Sequence, residues 1–106
     1  MIVVTVYKDP EGYQGFRSEG HADYAEEGQD IICAAVSALT VNAVNSIEQF
    51  TEDAFAVRQD DGFLELVLEG SVSREAQLLL DSLILGLQEI QKSYGKEYIQ
   101  LTFEEV

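Results

Sequence analysis

The fold is decided by residues 30–50, which read DIICAAVSALTVNAVNSIEQF. Apolar side chains recur there at three- and four-residue spacing, the pattern of a helix that buries one face. The members of this apolar series are Ile32, Val36, Leu39, Ala43, Ile47 and Phe50. Asp30 stands where an N-cap residue is expected, so the spacing predicts a helix from about Ile31 to Phe50.

Segments of alternating side chains, typical of β-strands, lie on both sides of this helix. They cover residues 2–7, 13–20, 54–59, 63–69 and 98–104, with turn residues at 9–12 and 60–62. A second helix is indicated between a Ser73 cap and Gly95, and Gly86 inside it predicts a close approach of that helix to the sheet. The order ββαββαβ therefore predicts an α+β fold, with two helices packed on a mostly antiparallel sheet and residues 1–106 forming one domain.

The charge of the chain limits its partners. Twenty Asp and Glu residues against six Lys and Arg give a net charge of −14, which disfavours direct binding to nucleic acid and leaves a basic protein partner open.

The uncharged stretch 31–47 is interrupted by polar residues, and it falls short of the roughly 20 apolar residues of a membrane span. The N-terminus lacks the pattern of a secretory signal, so we expect a cytoplasmic protein with no membrane association.

The chain has one cysteine, Cys33, and one histidine, His21. This pair excludes an intrachain disulfide and a four-ligand Cys/His zinc site, and no cofactor is expected. With Asp30 as the cap, Cys33 would lie in the first helical turn, where the helix dipole contributes about 0.3–1 kcal/mol toward a thiolate. The Asp30 carboxylate opposes that by roughly 1 kcal/mol, whereas an imidazolium about 4 Å from the sulfur would contribute on the order of 4 kcal/mol.

These magnitudes favour a dyad of Cys33 and His21, with Asp30 orienting the imidazolium and Ser37 on the same helix face as the sulfur. Simpler interpretations exist for each residue. Cys33 could be a buried apolar side chain, His21 a structural group, Asp30 a plain cap, and Ser37 a hydroxyl bonded back to the Cys33 carbonyl. A peroxide-sensing thiol is disfavoured because the chain has no second cysteine to resolve it.

Residues 20–39, GHADYAEEGQDIICAAVSAL, resemble the signature of the ribosomal-processing cysteine protease Prp family, also called YsxB-like. The resemblance implies an endopeptidase that removes an N-terminal extension from the large-subunit ribosomal protein numbered twenty-seven. It places the catalytic roles on His21 and Cys33 and the supporting acidic and hydroxyl positions on Asp30 and Ser37.

The resemblance also implies a homodimer whose loop before the helix moves over the peptide. Substrates of the family are cut after an aromatic-rich stretch and continue into basic sequence, so we expect Glu26 and Glu27 to bind substrate. The competing hypothesis is a non-catalytic ribosome-assembly or protein-binding module, in which the acidic surface grips a basic protein and Cys33 only packs the helix.

Overall fold

A computed structural model describes residues 1–20 and 27–106, and for residues 27–30 it describes the backbone without the side chains. The elements are β1 (Ile2–Asp9), β2 (Gly12–Glu19), α1 (Glu27–Phe50), β3 (Phe55–Asp60), β4 (Phe63–Leu68), α2 (Arg74–Tyr94) and β5 (Ile99–Glu105). The predicted order of strands and helices is confirmed.

The described strands form one sheet in the order β3-β4-β2-β1-β5. Strands β1 and β2, β2 and β4, and β3 and β4 pair antiparallel, whereas β1 and β5 pair parallel. Strand β5 therefore also runs parallel to β4, the strand before it in the chain, and α2 supplies the long crossover between them, because a tight turn can join only antiparallel strands. The predicted α+β class with a mostly antiparallel sheet is therefore confirmed.

Both helices pack on one face of the sheet. Val4 and Phe16, on the two central strands, are fully buried and share one core cluster with Ile32 and Ile47 of α1 and Leu80 of α2. Helix α2 begins as predicted, because Ser73 Oγ accepts a hydrogen bond from the Ala76 N–H at 3.1 Å. It ends at Gly95, whose φ of 106° is a conformation that residues with side chains rarely adopt.

The opposite face of the sheet carries a polar network. The Tyr7 hydroxyl donates to Glu65 Oε2 at 2.6 Å and accepts from Arg17 Nη1 at 2.8 Å. Arg58 donates to the other Glu65 oxygen, from Nε at 2.9 Å and from Nη2 at 2.7 Å. Because Tyr7 is buried and Glu65 nearly so, this network satisfies polar groups that would otherwise be costly to remove from water.

The start of α1 differs from the prediction. The helix begins at Glu27, so Asp30 lies inside it and the assignment of Asp30 as the N-cap is wrong. Good helix formers at Glu27 and Gln29 extend the helix toward the N-terminus, and acidic residues in a first turn suit the helix dipole. Cys33 is therefore six residues into α1 rather than in its first turn.

Two packing predictions also change. Gly86 marks a close approach of α2 to α1 rather than to the sheet, because a Cβ built on Gly86 would lie 2.9 Å from Cδ1 of Leu39. Phe50, expected in the buried stripe of α1, is 71% exposed at the last residue of the helix. The buried stripe includes Thr40 instead, at the helical spacing from Val36 to Ala43.

Helix α1 is longer and more apolar than the sequence analysis stated. Residues Ile31–Phe50 are long and apolar enough to cross a membrane by length and composition alone, a test that the core helix of a soluble protein also passes. Within this helix, Ile32, Val36, Ala43 and Ile47 are buried in the same core cluster as the strands.

Candidate active site

Cys33 lies on the cavity-facing side of α1. It is half-buried, packs against the edge of the core cluster and lines a cavity of about 240 Å³. A half-buried thiol that opens onto a cavity is accessible to a ligand, unlike a thiol sealed in the core. The predicted nucleophile is therefore placed where a substrate carbonyl could reach it.

The cavity lies between the first half of α1 and the end of the sheet where β2 finishes and the β3–β4 hairpin turns. From α1 it is lined by Cys33, Val36, Ser37, Thr40 and Val41, and from the rest of the chain by Ile2, Ser18, Gly20, Gln59, Asp60, Gly62, Phe63 and Leu64. Apolar and polar side chains thus contribute to the lining in nearly equal numbers, and both layers of the fold take part.

Ser37 is brought to the same cavity as Cys33. It lies one helical turn further along α1 and is exposed. Side chains four residues apart share a helix face, so this placement agrees with the spacing seen in the sequence. The structure thus brings together Cys33 and Ser37 of the predicted site residues.

The other predicted site residues lie outside what the structure describes. His21 and Glu26 belong to residues 21–26, and the side chains of Glu27 and Asp30 are likewise outside the described part of the chain. The roles assigned to these four residues stay predictions.

The longer helix alters the electrostatic argument for Cys33. Unpaired backbone N–H groups belong to the first four residues of a helix, here 27–30, so Cys33 lies beyond them. Because the dipole effect falls off within the first turn, it contributes less to a thiolate at Cys33 than the sequence suggested.

Gly20 fixes the chain at the rim of the cavity. Its N–H donates to the Gly62 carbonyl at 3.0 Å, and its φ is 98°. A Cβ at this position would collide with the Met1 carbonyl oxygen, so any side chain here would be strained for two reasons. The residue that follows Gly20 in the sequence is His21.

Thr40 is a cavity residue that the sequence reasoning missed. It is 2% exposed, and its hydroxyl donates to the Val36 carbonyl at 2.9 Å and lies 3.3 Å from the Ser37 carbonyl. A hydroxyl bonded back to the preceding turn holds this wall of the cavity in one conformation. The sequence contained a signal for this role, because Thr40 is a polar residue on the buried face of α1, four residues after Val36 and three before Ala43.

The β3–β4 hairpin is the second missed contribution. The sequence predicted its turn but did not connect the turn to the site, although Gln59, Asp60 and Phe63 line the cavity.

Among the described side chains, no group of three His, Cys, Asp or Glu residues has a metal-binding arrangement.

Comparison with known proteins identifies the family. The model of the cysteine protease Prp family matches residues 1–100. The chain belongs to the Prp family of cysteine proteases. The ribosomal processing cysteine protease Prp of Staphylococcus aureus is 34% identical over 98% of this chain and 100% of its own length. The Bacillus subtilis Prp is 32% identical over 96% of both chains.

Solved Prp structures share the fold. The crystal structure of the essential Prp from S. aureus with a covalently linked product peptide has a TM-score of 0.88 and 33% identity, covering 98% of this chain and 100% of that one. A second S. aureus Prp structure, in complex with a substrate peptide, has the same TM-score at 32% identity and the same coverage. The arrangement of helices and strands described here is thus that of peptide-binding Prp proteases.

Proposed function

We propose that this chain is an endopeptidase that removes the N-terminal extension of the large-subunit ribosomal protein numbered twenty-seven, by acyl transfer through Cys33 and His21. One observation carries the proposal: Cys33 and Gly20, the residue directly before His21, line the same cavity. The relatives support the reaction class, because they are ribosomal processing cysteine proteases and one holds a covalently linked product peptide.

In this mechanism the Cys33 thiolate attacks the scissile carbonyl carbon, and a C–S bond forms while the carbonyl becomes an oxyanion. His21 then protonates the leaving amine as the C–N bond breaks, which leaves an acyl-enzyme. Water, deprotonated by His21, attacks the acyl carbon and releases the second product with regeneration of the thiol. Asp30 orients the imidazolium, as the acidic member of a Cys-His-acid arrangement does.

The oxyanion needs a hydrogen-bond donor close to Sγ. Backbone N–H groups at the start of the helix, which the sequence favoured, belong to residues 27–30 and not to Cys33. The Ser37 hydroxyl lines the cavity one turn from Cys33 and is the candidate that the described geometry supports. Removing one oxyanion donor typically lowers kcat about 100- to 1000-fold, so Ser37→Ala tests this role.

We assign Glu26 and Glu27 to the basic part of the peptide, because opposite charges orient and retain a bound segment. Changing both residues to lysine should raise KM for a basic peptide, with the effect largest at low ionic strength, where charges are least screened. An unchanged KM at low salt would remove this assignment.

We also propose that the protein acts in the cytoplasm as a homodimer, as the family resemblance implies. Two copies of a chain with net charge −14 repel each other, so a dimer contact needs apolar surface whose burial offsets that repulsion. Leu78 and Leu85, seven residues apart on α2, are 67% and 60% exposed and supply apolar surface for such a contact. Sedimentation equilibrium of the wild type and of a Leu78→Lys, Leu85→Lys variant tests both the dimer and this face.

The decisive experiment incubates the protein with the unprocessed ribosomal protein and measures product masses. Cys33→Ala should lower kcat/KM by at least about 1000-fold and His21→Ala should come close to it, because the two groups act as a unit. Ser46→Ala, a substitution on α1 away from the Cys33 cavity, is the matched control and should leave the rate unchanged. Cleavage by Cys33→Ala at the wild-type rate would refute the nucleophile, and binding without cleavage by the wild type would establish a binding module.

A further inference from the structure

The two edges of the sheet differ in how their backbone groups are used. At the β5 edge, the Leu101 N–H donates to Gln91 Oε1 of α2 at 3.0 Å, so a helix side chain occupies part of that edge. At the other edge, β3 pairs with β4 on its inner side and has no strand on its outer side among the described residues. An exposed edge of this kind is a template for pairing with another extended chain.

The register identifies the backbone groups that point outward from β3. The Glu69 N–H donates to the Ala54 carbonyl at 2.9 Å, so Ala54 faces β4. In an antiparallel pair, residues alternate between those bonded to the partner strand and those facing away. The N–H and carbonyl groups of Phe55, Val57 and Gln59 therefore lie at the outer edge.

Strand β3 contains few of the residues that prevent an edge strand from pairing with another chain. Ala56 to Asp60 are all exposed, and the strand, FAVRQD, contains neither proline nor lysine, the residues that commonly prevent edge pairing. Its one cation, Arg58, is held against Glu65 of the neighbouring strand at 2.7 Å instead of standing over the edge.

The edge is also continuous with the candidate active site. Gln59 and Asp60, at the end of β3, line the cavity that contains Cys33. The six residues of β3 give an edge of roughly 20 Å, enough to hold an extended segment of about six residues. A peptide paired along this edge would end beside the cavity that Cys33 lines.

We propose that the outer edge of β3 is the docking edge for the substrate, which adds to the sheet as a sixth strand and so carries its scissile bond to Cys33. This inference rests on the proposed function, since it concerns the peptide that Cys33 cleaves. Main-chain hydrogen bonds supply the affinity in this mode of recognition, and alternate side chains of the added strand face opposite sides of the sheet.

A set of modified peptides tests the pairing without altering the protein. The probe is a synthetic peptide of the N-terminal segment of the host's ribosomal protein twenty-seven, N-methylated at one backbone nitrogen at a time. In the part that lies along β3, KM should rise at every second position, because only alternate N–H groups face the strand. The unaffected neighbours are the internal control. Sensitivity without a two-residue period, or confined to the scissile bond, would overturn the proposal.

A protein variant tests the same contact from the other side. Val57→Pro removes an outward N–H without breaking the ladder to β4 and should raise KM about five-fold, roughly the free energy of one hydrogen bond, with kcat nearly unchanged. Val57→Ala keeps the N–H and should match the wild type. Denaturant unfolding establishes that both variants fold, and alkylation of Cys33 by iodoacetamide should proceed at the wild-type rate in each.

The experiments distinguish a failure of the docking edge from a failure of the protease assignment. If the wild type cleaves the peptide and Val57→Pro has an unchanged KM, the docking edge is wrong and the protease assignment stands. If the wild type does not cleave the peptide but still binds it with a two-residue pattern of N-methyl sensitivity, the docking edge stands and the catalytic assignment is wrong.

Discussion

Replacing Tyr7 by phenylalanine removes one hydroxyl from the polar network on the open face of the sheet. Tyr7 is a buried residue, and its hydroxyl donates to Glu65 Oε2 at 2.6 Å and accepts from Arg17 at 2.8 Å. A hydrogen bond to a charged group contributes about 1.5–3 kcal/mol. Arg17 keeps Glu19 and Glu104, each at 3.5 Å, so most of the loss falls on the Tyr7–Glu65 bond. We expect Tyr7→Phe to lower the free energy of unfolding by about 2 kcal/mol at pH 7.

The loss of unfolding free energy caused by Tyr7→Phe should become smaller at acidic pH. The hydrogen bond from Tyr7, followed by that from Arg58, lowers the pKa of Glu65 below its usual 4.5. A carboxyl whose pKa is lower in the folded than in the unfolded state stabilises the fold fully above the unfolded pKa. That contribution is lost as the pH falls through the folded pKa. The difference between Tyr7→Phe and the wild type should therefore be constant near neutrality and shrink as the pH falls below about 4.5.

Urea denaturation followed by far-UV circular dichroism, at pH 7 and at several values down to pH 3, measures the difference directly. Tyr94→Phe is the matched control, because Tyr94 is 47% exposed at the end of α2 and the change should lie within about 0.5 kcal/mol. A loss below about 0.5 kcal/mol for Tyr7→Phe at pH 7, or an equal loss at pH 7 and pH 3, would show that the Tyr7–Glu65 hydrogen bond does not stabilise the fold as described.

Three further substitutions test the helices by the same denaturation assay. Ser73→Ala should cost about 1 kcal/mol, because it removes the acceptor of the Ala76 N–H, and a cost near zero would contradict the cap. Asp30→Ala should cost less than about 0.5 kcal/mol, since Asp30 lies inside α1, and a cost of about 1 kcal/mol or more would restore the cap predicted from sequence. Gly86→Ala should destabilise the wild type by roughly 1 kcal/mol, because its methyl group meets Leu39, but should stabilise a Leu39→Ala background by up to about 1 kcal/mol through helix propensity. The same sign in both backgrounds would contradict this contact.

Much of the fold was predictable because it depends on local periodicity. The alternation in β4 and the cap at Ser73 each follow from a few neighbouring residues, and the structure bears them out. The N-terminal limit of α1 was not predictable, because Asp30 makes an equally good cap or first-turn residue, and only the surrounding chain selects between them. The element that packs against Gly86 was also predicted wrongly. A glycine inside a helix indicates a close contact, but the sequence does not show which element makes that contact.

For the candidate site, too, the sequence predicted the local features and missed those that depend on distant parts of the chain. The amino-acid sequence was sufficient to identify the family, the single thiol, the single imidazole and the helical spacing between Cys33 and Ser37. These features depend only on residue identity and on neighbours along one helix. The folded structure was needed to show that Thr40, Gln59, Asp60 and Gly20 line the same cavity. Those residues come from distant parts of the chain, and the pairing of strands that brings them together is fixed by the packing of the whole core and not by any short pattern.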